Sequence, residues 1–142
     1  EKDTIRLLRE CDAGVKMGTS SIEEVLEYVS SSELKNLLSV CKDEHDKLKR
    51  EIEELLKKYK DDGKEPNPIA KGMSWMKTNM KLVMNESDHT IADLITDGCN
   101  MGVKSINRYL NKYKAAEEDA KDIAKELIRI EETLATDLRR YL

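Results

Sequence analysis

Apolar residues recur along this chain at spacings of three and four, in four long stretches divided by polar breaks. The first stretch, Thr4 to Val29, carries Leu8, Asp12, Val15, Thr19, Ile22, Leu26 and Val29 on one stripe. The second, Glu33 to Tyr59, carries Leu34, Leu38, Cys41, His45, Leu48, Ile52, Leu55 and Tyr59. The third, His89 to Tyr113, gives Ala92, Thr96, Cys99, Val103, Ile106, Leu110 and Tyr113. The last, Glu117 to Leu142, gives Ala120, Ala124, Leu127, Glu131, Leu134, Leu138 and Tyr141. Such stripes are the buried seams of helices packed in a bundle. Ser30 to Ser32 break the first pair, with Ser31 or Ser32 placed to cap the second helix. Lys60 to Pro68 holds a glycine and both prolines and reads as a loop. A shorter helix is predicted from Ile69 to Met84, followed by a capping break at Asn85 to Asp88.

The two halves repeat each other. Gly14, Met17, Gly18, Ser21, Ile22 and Leu26 recur at a constant offset as Gly98, Met101, Gly102, Ser105, Ile106 and Leu110. The helices that follow correspond as well, pairing Leu37 with Ile123, His45 with Glu131, Leu48 with Leu134 and Ile52 with Leu138. The expected architecture is one all-α domain over residues 1–142, a four-helix bundle. It has a first hairpin at 4–59, a crossover loop and helix at 60–86, and a second hairpin at 89–142. A nine-residue loop spans ~30 Å when extended and a sixteen-residue helix adds ~24 Å. The connection can therefore return along the bundle, so that helices 33–59 and 89–113 run parallel.

Composition narrows the function. Aromatics are 4% and Phe is absent, which disfavours a sandwich or barrel. The net charge of −4 disfavours general nucleic-acid binding. No apolar run approaches the ~20 residues of a membrane span. Cys11, Cys41 and Cys99 are odd in number and lie inside the helical patterns, so they read as small core residues rather than a disulfide framework. With no basic-then-apolar leader in view, the expected compartment is the cytoplasm.

Two hairpins, a long crossover and an internal repeat resemble the ferritin-like superfamily. Within it, the chain looks like the small bacterial members of unknown function. The stretch from Lys71-Gly-Met-Ser-Trp75 through Asp88-His-Thr-Ile91 to Gly98 and Tyr109 carries the likeness. That resemblance implies a dinuclear metal centre, built from two Glu residues and two Glu-x-x-His pairs on inward faces. The sequence departs from that set. Lys42-x-x-His45 has lysine at the carboxylate position, and Ile128-x-x-Glu131 has no histidine. Glu86-x-x-His89 falls in a break. No catalytic residue is expected, and the reading is a non-enzymatic binding or structural protein with a degenerate di-iron site.

Three groups remain as candidate sites. His45 and Glu131 sit on apolar seams near mid-bundle, where a buried charge needs a partner. Their bland reading is a register-fixing pair. The sharper one is a reduced metal site of His45, Glu131 and Asp12, holding one Fe, Zn or Mn ion, although no cofactor is the primary expectation. Gly14, Gly18, Gly98 and Gly102 predict a close crossing of the two repeated helices, because glycine inside a helix costs ~1 kcal/mol. Met73, Met76, Met80 and Met84, with Trp75 beside them and Lys71, Lys77 and Lys81 flanking, form a stripe on the shorter helix. It reads as packing on the bundle or as an adaptable face for a protein partner. A homo-oligomer, with a dimer favoured, is expected.

Overall fold

The computed structural model describes residues 2–66 and 87–142. It contains four long helices: α1 (Lys2–Leu26), α2 (Ser32–Lys58), α3 (Ser87–Lys112) and α4 (Glu118–Asp137). The last runs into a single 3-10 turn, Leu138–Tyr141, where a continuous helix was expected to Leu142. No strand occurs among the described residues. The predicted helix at 69–84, with Met73, Trp75, Met76, Met80 and Met84, lies outside them.

The helix ends follow from local chemistry. Ser31 caps α2 by accepting the Leu34 N–H at 3.2 Å. At the other end of α2, Asp61 N–H reaches Leu56 O and Lys60 N–H reaches Lys57 O, a Schellman closure. Lys60 takes the left-handed turn position, φ 55°, that glycine usually fills. α4 starts without a side-chain cap of its own. Instead the Glu117 N–H donates to Thr4 Oγ1 at 2.8 Å, which ties the start of α4 to the start of α1.

Two such ties set the topology. At the opposite end of the bundle, Asp88 at the start of α3 accepts the backbone N–H groups of Ser30 and Ser31 at 2.8 and 2.9 Å. The starts of α2 and α3 therefore share one end, and these helices run parallel, as the long connection predicted. α1 packs on α2 and α3 on α4 as two hairpins, which join along α1–α3, α1–α4 and α2–α4. Leu7, Leu8, Val15, Ile22, Leu38, Ile52, Ala124, Leu127 and Leu138 fill the space between them, all essentially without solvent contact. Each such leucine or isoleucine removed from water contributes about 1.5–3 kcal/mol before entropy is counted. Among the described residues no helix is long and apolar enough to cross a membrane.

Candidate functional site

Halfway along the bundle the apolar seams are interrupted by one ion pair. His45 on α2 and Glu131 on α4 meet with Nε2 and Oε1 2.7 Å apart. His45 has no solvent exposure and Glu131 only 9%. The other ring nitrogen, Nδ1, lies 2.8 Å from the Cys41 carbonyl oxygen, one turn earlier on α2. A carbonyl and a carboxylate only accept hydrogen bonds, so both ring nitrogens donate and the ring is an imidazolium. Burial by itself would drive the proton off. The contacts with Cys41 and the Glu131 carboxylate outweigh it, and the His45 pKa is pushed up to about 10.

The surroundings are shaped for this pair. A Cβ at Gly18 would stand 2.6 Å from His45 Nε2 and 2.7 Å from its Cδ2. A Cβ at Gly102 would stand 3.5 Å from Glu131 Oε2. The missing side chain at Gly18 therefore makes room for the imidazole. Burial, and then the Glu131 carboxylate, pushes the thiol of Cys99 on α3 well above the usual range. Cys11, farther along the core, is pushed up to about 12 by burial and then by Glu10 and Asp12. All three cysteines are free and buried. Enclosed thiols raised in pKa, as Cys11 and Cys99 are, make poor nucleophiles, as expected of core residues.

Asp12 does not join His45 and Glu131. It sits six residues before Gly18 on α1, which is ~9 Å along the helix axis. Its Oδ2 accepts the Lys64 backbone N–H at 2.9 Å and pairs with Lys16 Nζ at 2.8 Å. Gly63, at φ +88°, lies directly against this oxygen, where a side chain would collide with it. The buried carboxylate thus anchors the 61–66 loop to α1, helped by Arg9–Asp61 at 3.0 Å and Lys64–Glu10 at 2.8 Å. Nothing in the Asp12 seam position announced a partner some fifty residues away. The nearest signal was the Asp61-Asp62-Gly63 turn itself.

The remaining candidates are placed as follows. Lys42, one turn before His45, pairs outward with Asp46 at 3.2 Å and Glu23 at 3.5 Å. His89 is exposed, and Glu86 lies outside the described residues. The expected close crossing at four glycines is not what occupies them. A Cβ at Gly14 would make ordinary contact with Leu127 and Ile106, 3.4 and 3.8 Å away, and at Gly98 it would meet nothing within 4 Å. Cys41 and Cys99 were placed in the seams by their spacing, but not beside the ion pair. The i, i+4 step from Cys41 to His45 was the available clue. Among the described residues no group of three or more His, Cys, Asp or Glu side chains is arranged to hold a metal ion. No protein-family model matches the chain, and searches of curated proteins and of solved structures return no match either.

Proposed function

We propose that this chain is a ferritin-like bundle in which an ion pair has taken the place of the dinuclear centre. It acts as a non-enzymatic binding or structural protein, assembled with copies of itself in the cytoplasm. Two hairpins joined by a long connection, with α2 parallel to α3, support the family reading. The three free, buried thiols suit a reducing compartment. One observation carries the functional half: both nitrogens of the single core histidine are spent on Cys41 O and Glu131 Oε1. An imidazolium has no lone pair to offer a metal.

A dinuclear centre does not fit these residues. Its inward carboxylate positions hold Gly18 and Gly102, and Lys42 stands where the Glu of a Glu-x-x-His pair would be. The deciding experiment is elemental analysis of the protein purified from its native host without added metal. The expected content of Fe, Zn and Mn is far below one ion per chain. A near-stoichiometric ion that disappears in His45→Ala overturns the reading in favour of a reduced His/carboxylate metal site.

A further inference from the structure

On the face formed by α2 and α4 lies an open groove of about 630 Å³. Its floor is apolar: Leu48, Leu55 and Ile123. Its walls are acidic. Glu54 and Glu126 are answered locally, by Lys57 and Arg129. Glu51, Asp119 and Asp122 form no ion pair among the described residues. Lys58 is the one cation lining the groove among those residues, so an excess of negative charge remains over the apolar strip.

The outward face of α3 has the opposite character. Between Asp97 and Glu117 the chain has no acidic residue, and Lys104, Arg108 and Lys112 follow one another at i, i+4 spacing. All three are exposed, and none forms an ion pair among the described residues. Met101, one turn before Lys104, shares this face. At 63% it is the most exposed large hydrophobic side chain among the described residues.

We infer that the groove receives the outward face of α3 from a second copy of the chain. The argument is complementarity of charge, polarity and length. Unpaired cations on α3 meet unpaired carboxylates on the groove walls, and the adaptable Met101 side chain meets the apolar floor. Leu48 to Lys58 runs ~15 Å along α2, and Met101 to Lys112 runs ~16 Å along α3. A helix ridge laid in a groove of its own length is a common mode of recognition. The same copy cannot supply the ridge, because this face of α3 turns away from its own bundle. Two grooves cannot close on each other, because like-charged walls would meet. The contact therefore joins unlike patches of two copies. It deepens the self-assembly reading above and rests on it, but it does not depend on the metal-free reading of the core.

The test reads the mass of the full-length protein by light scattering. The native chain is expected above 16.3 kDa, with a mass that rises with concentration and falls as salt is added. Its NMR signals from Leu48, Leu55, Ile123 and Met101 should shift over the same concentration range. Glu51→Lys, Asp122→Lys and, separately, Lys104→Glu, Arg108→Glu alter exposed side chains only. Each double variant is expected to weaken association ~10-fold or more. The quadruple variant, with both surfaces reversed in one chain, should associate again, which neither general damage nor loss of folding would produce. A native chain that stays monomeric at every concentration overturns the docking and the self-assembly reading together. An oligomer that withstands either double reversal, or a quadruple variant that stays monomeric, overturns the docking alone.

Discussion

The two hairpins carry opposite charges at the same level of the core. At mid-bundle the first hairpin presents Gly18 and His45, and the second presents Gly102 and Glu131. The repeat aligns Gly18 with Gly102 and His45 with Glu131, yet one half supplies the cation and the other the anion. Identical seams would have buried either two histidines or two carboxylates, each without a counter-charge. The divergence explains how two polar residues are tolerated inside an apolar core. Each removes the penalty of the other, and the remaining donor of the imidazolium goes to Cys41 O.

Breaking this complementarity should give the largest effect. His45→Leu leaves Glu131 buried against Cys99 and Gly102 without its cation, and Glu131→Leu leaves the imidazole without its anion. Each single change is expected to cost about 3–5 kcal/mol in denaturant unfolding. The double change His45→Leu, Glu131→Leu should recover most of that loss, because a well-packed apolar pair of similar volume is often no worse than a buried ion pair. A double variant as unstable as the sum of the singles would show that the pair is not acting as a unit.

The same comparison fixes a pH dependence. The folded-state pKa of His45 lies at about 10, above its ordinary value of 6.5. Between these values the native state holds a proton that the unfolded state has released, so stability falls as pH rises. The contribution is fully present below pH 6.5 and is lost as pH climbs through about 10. Unfolding curves across this window should slope downward in the native protein, and the His45 component of that slope should vanish in His45→Leu.

How much of this was legible in the sequence depends on where each partner lies. The seams were legible because periodicity is local. His45 and Glu131 were paired from the repeat alone, and they do meet. Extrapolating a strict seam to the end of α2 put Leu55 in the core, whereas Leu56 is the buried residue. A straight helix drifts by ~20° per heptad against a 3.5-residue repeat, which is enough to shift the choice by one position. Asp12 was assigned to the same cluster as His45 because both are polar residues on seams. Its partners, however, are Lys16 one turn along α1 and the Lys64 backbone N–H in the loop after α2, and the second of these no periodic pattern encodes.

The glycines sharpen the comparison at a smaller scale. The four were read as one device because they repeat, but their surroundings separate them. Gly18→Ala places a methyl group against the His45 ring, and a ring held at both nitrogens cannot rotate aside without losing a hydrogen bond. The expected cost is about 1–3 kcal/mol. At Gly102 the nearest atom to the new Cβ would be at an ordinary contact distance, and at Gly98 there is open space. Those two alanine variants should instead gain up to ~1 kcal/mol from helix propensity. Melting curves of the three variants give the test: a fall for Gly18→Ala and a rise for Gly98→Ala and Gly102→Ala. Three equal falls would restore the reading of a shared helix crossing. The expected split means that glycine at positions 18 and 102 serves no shared purpose. One glycine makes room for an imidazole, while its counterpart needs no such allowance beside a carboxylate.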